Sequence, residues 1–194
     1  MNEAEYLRLP PALETIEAET KAISFVMGSE RTTGALLRTL AASKPSAQFL
    51  ELGTGTGIST AWLLDGMDAN SRLMTVDNDA DCVAIARRHL GHDPRIEFHV
   101  ADGSAFLTGL DGKRFDLIFA DTWPGKFWDL ELALALLKPG GLYVIDDLLP
   151  QPNWPEGHTP KVETLIRDLS ERQDLTVCPM VWSSGLLIAV KTGG

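Results

Sequence analysis

The chain has 194 residues, of which 44% are hydrophobic and 23% charged, and its formal net charge is −10. This length and composition fit one globular domain, and so negative a charge argues against a broad nucleic-acid surface, since phosphate contacts need clustered Lys and Arg. No apolar stretch approaches the ~20 residues of a membrane span and the N-terminus is not typical of a signal peptide, so we expect a cytoplasmic protein that binds no membrane.

Two helices are predicted ahead of the first strand, and they form an N-terminal cover over residues 1–45. The first spans residues 11–27, and the second spans residues 32–42 and has a plausible threonine cap. The apolar stripe of the first helix consists of Leu13, Ile16, Ile23 and Val26. Such a cover could lie over a substrate or could simply pack on the core. Residues 46–194 are expected to form the core of a single domain spanning residues 1–194.

A glycine-rich turn follows the first predicted strand, and the rest of the chain is organised around it. Residues 49–52, apolar except for Glu51, lead into Gly53, Gly55 and Gly57, and a helix is predicted to begin near Ile58. Glycine permits positive φ and close approach of a ligand, and the free N–H groups of a helix start face whatever binds there. The alternative is an ordinary strand-to-helix turn.

The residues around this turn distinguish two kinds of ligand. The dinucleotide pattern G-x-G-x-x-G/A requires Gly or Ala where this chain has Ile58. Glu51, two residues before Gly53, would repel a pyrophosphate but would suit a ligand that carries ammonium and sulfonium charges. A nicotinamide-dependent dehydrogenase is therefore disfavoured.

The second predicted strand, residues 72–77, ends in an acidic residue. Asp77 lies about 20 residues beyond the glycine turn, where doubly wound folds place the carboxylate that binds ribose hydroxyls. An ionised carboxylate can accept hydrogen bonds from both hydroxyls. The alternative role is a helix cap, for which Asp79 is better placed because it directly precedes the predicted helix at residues 80–90.

The remainder of the chain alternates strands with helices, which implies a parallel sheet with right-handed crossovers. Strands are predicted at residues 95–100, 115–121, 142–146, 175–181 and 185–191. Helices are predicted at residues 104–110, 127–137 and 161–171, and the run Lys-Pro-Gly-Gly at residues 138–141 is expected to stop the second of them. The last two strands are expected to form a hairpin, and the intervening loop at residues 148–160 is long for a compact domain.

The run E-L-G-T-G-T-G at residues 51–57 resembles the first motif of class I S-adenosylmethionine-dependent methyltransferases. The resemblance implies an α/β, doubly wound, Rossmann-like sheet of seven strands in the order 3-2-1-4-5-7-6, with strand 7 antiparallel and an N-terminal helical cover. It implies S-adenosyl-L-methionine as cofactor and a small-molecule acceptor. The cofactor residues it implies are Glu51, Gly53, Thr54, Gly55, Gly57, Ser59, Asp77, Asn78, Asp102, Gly103, Ser104 and Asp121. In this class the acid after strand three accepts from the adenine amino group; here that acid is Asp102, which could equally cap the next helix.

Acidic residues also follow the fourth and fifth predicted strands, at Asp121, Asp146 and Asp147. Because these strands are neighbours, the carboxylates should lie close together and repel one another unless a cation sits between them. Oxygen ligands suit Mg²⁺, Ca²⁺ or Mn²⁺. At these positions the chain resembles the metal-dependent O-methyltransferases of the catechol and caffeoyl-coenzyme A type, in which an Asp follows strand four and an Asp-Asn pair follows strand five.

The chain departs from that family at two positions. Asp147 replaces the Asn, and Pro124 occupies the position of the family's catalytic Lys. Lys126 is the nearest lysine, and a Pro-Gly insertion could deliver it to the site. The resemblance therefore predicts Mg²⁺ on Asp121, Asp146 and Asp147, with Lys126 and Asp121 as catalytic residues.

The leading hypothesis is O-methylation of a small hydroxylated, catechol-like acceptor whose hydroxyl pKa is lowered by a metal. The alternatives are a metal-independent small-molecule methyltransferase and a non-catalytic module that binds S-adenosylmethionine. A flat acceptor could lie against Trp123, Trp128 and Trp154, or these side chains could simply pack in the core or at its rim. His158 could also reach the site. A homodimer is left open, because members of the family often pair.

Overall fold

A seven-stranded sheet forms the centre of the fold in the computed structural model, which describes residues 3–152 and 154–193. The strands are β1 (Gln48–Leu52), β2 (Arg72–Asp77), β3 (Ile96–Val100), β4 (Phe115–Ala120), β5 (Leu137–Ile145), β6 (Leu175–Met180) and β7 (Leu186–Lys191). Their order is β3-β2-β1-β4-β5-β7-β6. β7 is antiparallel to both β5 and β6, whereas the pairs from β3 through β5 are parallel. The predicted strand order and the reversal of β7 are confirmed.

Seven α-helices accompany these strands in the described part of the chain. They are α1 (Leu13–Ala22), α2 (Arg31–Ala42), α3 (Ile58–Gly66), α4 (Ala80–Leu90), α5 (Gly103–Thr108), α6 (Leu130–Ala135) and α7 (His158–Ser170). A short 3₁₀ helix at Glu3–Tyr6 precedes them. Within the described residues, none of the helices has the length and apolar character needed to cross a membrane.

The core lies on both faces of the sheet, as the side-chain alternation of a central parallel strand requires. On β1, Phe49 faces a cluster built mainly from α1, α2 and α3, whereas its neighbour Leu50 faces a second cluster that includes residues of α6 and α7. Both side chains are fully buried. Burial on both faces fixes the strand register, which in turn fixes where each strand ends.

The predicted N-terminal helix at residues 11–27 is too long. α1 ends at Ala22, and the chain turns at Ser24, whose φ is 58°. The outer half of the predicted stripe is consequently not core, because Ile23 is 49% exposed and Val26 is 76% exposed. The predicted threonine cap on α2 is also wrong, since the N-cap residue is Glu30, which makes no side-chain capping bond to described residues.

The segment between β4 and α7 also differs from the prediction. The predicted helix at residues 127–137 shrinks to α6, which begins after Asp129, a residue with φ 57°. β5 begins at Leu137, which pairs with Phe115 ahead of an irregularity in the ladder, so residues 138–141 continue the strand and do not form a helix stop. α7 begins at His158, which shortens the predicted loop; Asn153 of that loop lies outside the described residues.

Candidate active site

The glycine turn between β1 and α3 has a shape that only glycine can provide at two positions. Gly53 has φ 101°, and a Cβ there would lie 2.7 Å from the carbonyl oxygen of Asp121. Gly57 has φ 94°, and a Cβ there would lie 2.9 Å from the Cβ of Ala86 on α4. The first glycine lets the chain after β4 come close to the turn, and the second lets α4 pack against it.

Protein hydrogen bonds hold this turn against the end of β2. The amides of Gly53 and Thr54 both donate to the Val76 carbonyl, at 2.9 and 3.2 Å. The Gly55 amide donates to Oδ2 of Asp77 at 2.8 Å, and Oδ1 of Asp77 accepts from the Asp79 amide at 3.0 Å. Each Asp77 oxygen has a further lone pair, so the carboxylate can still accept from a ligand.

Glu51 lies beneath the turn and is fully buried. It lines neither of the two cavities that open at the carboxyl ends of the strands. Its carboxylate accepts hydrogen bonds from the hydroxyls of Ser59, Thr60 and Thr75, each at 2.6 Å. Burial raises the pKa of Glu51 to about 7, although these three hydroxyls act in the opposite direction. Glu51 thus ties β1, α3 and β2 together under the cradle.

This buried carboxyl should make folding stability depend on pH. The folded pKa of about 7 lies above the usual Glu value of 4.5, so the folded state favours the protonated form. The contribution of the protonated Glu51 carboxyl to the free energy of unfolding is therefore complete below pH 4.5 and is lost as the pH rises to about 7. In a comparison by urea unfolding, we expect Glu51→Gln to remove about 3 kcal/mol of pH dependence across this interval.

Glu163→Gln is a suitable control, because Glu163 is an exposed residue of α7. It should follow the wild-type pH profile. An unchanged profile for a folded Glu51→Gln variant would contradict the assignment.

Two adjoining cavities open at the carboxyl ends of the strands. The main cavity has a volume of about 370 Å³ and the second about 300 Å³. Both are within the size range of small-molecule sites. The residues that line both are Gly53, Asp77, Asn78, Thr122 and Trp123. The two therefore form one cleft that bends around the end of β1, as expected for a ligand site in a doubly wound sheet.

The predicted site residues are divided between these two cavities. The main cavity is lined by Gly53, Thr54, Gly55, Ser59, Asp77, Asn78, Asp121, Lys126 and Asp147. Asp102 and Gly103 line the second cavity. Four predicted residues of the described chain line neither one: Glu51, Gly57, Ser104 and Asp146. Ser104 instead donates to the carboxylate of Asp129.

Both acids with a predicted capping alternative do cap a helix. Asp79 accepts from the amides of Asp81 and Cys82 at the start of α4. Asp102 accepts from the Ala105 amide at 2.9 Å at the start of α5. Asp102 is exposed and also lines the second cavity, so the cap leaves its outer oxygen free to meet a ligand.

The acids after β4 and β5 approach one another as predicted, but protein groups already bind their oxygens. Oδ2 of Asp121 accepts from the Ser29 hydroxyl at 3.0 Å. Oδ1 of Asp146 accepts from the Asp147 amide at 2.8 Å and from the Ser184 hydroxyl. Asp146 is 1% exposed, so the protein surrounds it on all sides.

The carboxyl groups of this cluster are buried close together, and both burial and mutual repulsion disfavour their ionised forms. Burial, followed by the charges of Asp146 and Asp147, raises the pKa of Asp121 well above its usual range. Burial raises the pKa of Asp146 to about 6 and also raises the pKa of Asp147. Lys126 lowers the pKa of all three carboxyls, which makes it the cation they share.

A tight loop after β4 delivers Lys126 to this cluster. Gly125 has φ 82°, its amide donates to the Trp128 carbonyl at 2.7 Å, and its carbonyl accepts from the Tyr143 hydroxyl. Lys126 is 4% exposed and its Nζ donates to the Asp146 carbonyl at 2.5 Å. The insertion therefore brings Lys126 to the main cavity, although two positions later than the family pattern.

Aromatic side chains surround His158 at the other end of the main cavity. Its ring centroid lies 4.4 Å from Trp154, 4.9 Å from Phe127 and 5.7 Å from Trp123. His158 is 5% exposed, and its buried Nδ1 has no hydrogen-bond partner among the described residues. Burial, Lys126 and Lys161 lower the pKa of His158, which favours the neutral imidazole.

Sequence reasoning missed one segment of the cavity wall. Phe25, Met27, Gly28 and Ser29 line the main cavity just after α1, where a continuous helix was predicted. The αL residue Ser24 diverts the chain there, and no pattern in the sequence marks that turn. The cover therefore contributes to the cavity through this connection.

Comparisons with known proteins agree with this geometry. A family model described as a methyltransferase domain matches residues 50–148. A protein of Mycobacterium ulcerans named "Putative O-methyltransferase" is 28% identical over 185 residues, which cover 90% of this chain and 83% of that protein. Among solved structures, the O-methyltransferase TomG from Streptomyces achromogenes in complex with SAM is 25% identical with a TM-score of 0.84, covering 97% of this chain and 92% of that one. An O-methyltransferase from Bacillus cereus in complex with SAH shares the fold at 20% identity and a TM-score of 0.84, covering 96% of this chain and 93% of that one.

Proposed function

The chain belongs to the family of methyltransferase domains as an S-adenosylmethionine-dependent O-methyltransferase, and on this premise we propose that its acceptor is a small hydroxylated molecule bound in the main cavity. The observation that carries the proposal is the meeting of the two cavities at Gly53 and Asp77. A donor that spans the bend can present its reactive end to the main cavity while its base occupies the second.

The proposed donor orientation follows from the groups in each part of the cleft. Adenine lies in the second cavity, where Asp102 accepts from its amino group and Gly103 offers close backbone approach. The ribose hydroxyls donate to the free lone pairs of Asp77. The methionine part crosses the turn at Gly53 and Gly55, so its sulfonium faces Asp121. The partly buried carboxylate cluster supports this orientation, because it favours a positively charged neighbour.

The acceptor is proposed to lie against Trp123, Trp154 and His158. These rings supply a flat apolar wall, and Trp123 also lines the second cavity, which places the wall next to the proposed donor. This arrangement supports a planar, catechol-like acceptor. S-adenosylmethionine, when bound, supplies an activated methyl group to the acceptor oxygen. The chain holds the two molecules in line. The Asp121 carboxylate can take the proton of the acceptor hydroxyl, and the Lys126 ammonium can donate to the oxygen as it develops negative charge.

The aspartates in their present arrangement do not fit the predicted Mg²⁺ site. A divalent cation would need their oxygens at about 2.0–2.6 Å, yet Asp146 is 1% exposed and its Oδ1 is bonded to both Ser184 and the Asp147 amide. Among residues 3–152 and 154–193, no group of three His, Cys, Asp or Glu side chains has a geometry that could hold a metal ion. This observation favours the metal-independent alternative.

The proposal is tested by two measurements on the purified chain. Isothermal titration should find one S-adenosylhomocysteine site per chain. With S-adenosylmethionine and a panel of catechol, 4-nitrocatechol and simple phenols, S-adenosylhomocysteine should form at equal rates in EDTA and in Mg²⁺.

Each part of the proposal can fail separately. Lack of donor binding would reject the cofactor assignment. Loss of turnover in EDTA would show that the reaction requires a metal. Turnover only with amine or thiol acceptors would reject O-methylation. Tight donor binding without product from any acceptor would support the non-catalytic module.

A further inference from the structure

A lysine amine lies beside the acid cluster at the ends of β4 and β5, where it contacts the main chain of Asp146 and Asp147. Lys126 is 4% exposed, so its amine is almost entirely removed from bulk water. The nearby carboxyls belong to Asp121, Asp146 and Asp147, and two of them, Asp121 and Asp147, line the same cavity as Lys126. Burial lowers the pKa of the Lys126 amine, and the three carboxylates act in the opposite direction. A cluster of buried carboxylates is tolerable when a cation compensates it, and here the chain supplies that cation itself.

Backbone carbonyls hold the amine in place. Nζ of Lys126 donates to the Asp146 carbonyl at 2.5 Å and lies 3.5 Å from the Asp147 carbonyl. An ammonium group has three donors, so one is left for a further partner. Because Lys126 also lines the main cavity, an acceptor oxygen can reach that donor.

The loop around Lys126 is built to keep the amine there. The Lys126 and Phe127 amides both donate to the Trp123 carbonyl, at 3.0 and 2.9 Å. A Cβ on Gly125 would lie 2.5 Å from Cδ1 of Leu52, so the turn packs directly on the end of β1. The loop that carries the displaced lysine is therefore held by its own hydrogen bonds and by packing against β1.

We propose that the Lys126 ammonium is the resident cation of this site and supplies the positive charge that a divalent metal supplies in the metal-dependent O-methyltransferases that the sequence resembles. The inference rests on the proposed function, since it concerns the same cavity. It explains the two departures from the family pattern together. The displaced lysine binds the main chain of the strand-five acids, and Asp147 in place of Asn adds a negative charge beside its amine.

Mn²⁺ binding, followed by electron paramagnetic resonance, tests this inference without requiring an acceptor. The samples are the wild type, Lys126→Met and Lys113→Met, each stripped with EDTA and saturated with S-adenosylhomocysteine. Lys113 is exposed and serves as the control. We expect the wild type and Lys113→Met to leave Mn²⁺ free, and Lys126→Met to bind one Mn²⁺ at least about tenfold more tightly, because the cluster has lost its own cation. Adding Asp147→Ala, which removes the side-chain oxygens, to Lys126→Met should remove the gain.

Two results would overturn the inference. One is a stoichiometric Mn²⁺ site in the wild type that Asp147→Ala abolishes, and this measurement decides the matter even if Lys126→Met does not fold. The other is a folded Lys126→Met that binds Mn²⁺ no better than the wild type. Calorimetric titration of the same wild-type sample with S-adenosylhomocysteine is a separate readout, so failure of the proposed function would appear there and not in the Mn²⁺ signal.

Discussion

Asp77→Ala is expected to weaken binding of S-adenosylhomocysteine by about 100-fold or more. Two hydrogen bonds from the ribose hydroxyls to an ionised carboxylate are worth about 1.5–3 kcal/mol each, and both are lost. The change also removes the acceptor of the Gly55 amide, which holds the cradle at 2.8 Å. Isothermal titration calorimetry measures the affinity directly, and thermal unfolding in the same buffer reports any loss of the turn itself.

Two companion variants separate the contributions. Asp77→Asn keeps an oxygen for the Gly55 amide but loses the charge, so its affinity should lie between those of the wild type and Asp77→Ala. Asp81→Ala removes an exposed carboxylate from the first turn of α4, and it should bind as the wild type does. Wild-type affinity in a folded Asp77→Ala variant would show that the ribose lies elsewhere.

Lys126→Met should lower the rate of methyl transfer at saturating donor and acceptor by about 10²–10³-fold, the usual loss when one preorganised donor to a developing oxyanion is removed. Methionine keeps the length of the side chain but has no charge and no N–H. Donor affinity should change little, because the proposed donor contacts are with Asp77 and the glycine turn. Measuring kcat and the donor Kd together distinguishes a catalytic role from general damage to the cleft.

Lys113→Met is again the matched control, and its kcat should equal that of the wild type. Lys126→Arg retains a charge but puts a larger, planar head group into a site where Lys126 is only 4% exposed. Its activity should therefore recover only in part. A Lys126→Met variant with wild-type kcat would remove this lysine from the chemistry.

The arrangement of the strand ends could be predicted because local patterns determine it. Alternating or continuous apolar runs set each strand, and an acidic residue marks the end of β2 at Asp77 and the position after β4 at Asp121. Parallel strands bring these ends to one edge of the sheet, so the cleft followed from the strand order. The glycine turn could be predicted as well, since the positive φ at Gly53 and Gly57 requires glycine.

Side-chain direction and tertiary contacts could not be predicted in the same way. Glu51 sits at the correct position in the motif, but its carboxylate points beneath the turn because three hydroxyls from α3 and β2 satisfy it there. The Pro-Gly-Gly run before Leu142 was interpreted as a helix stop, although pairing of Leu137 with Phe115 extends β5 backwards across it. The burial of Lys126 depends on the packing of Gly125 against Leu52, which local sequence does not encode.

The bonds that fasten the glycine turn all come from the protein itself. Val76, Thr75 and Asp77 of β2 hold it by main-chain and side-chain contacts, and Glu51 braces it from below. The cradle is therefore preorganised, and little conformational entropy has to be lost there when a ligand arrives. Affinity for the donor should consequently be governed by how fast the donor leaves, with the association step limited mainly by diffusion into the cleft.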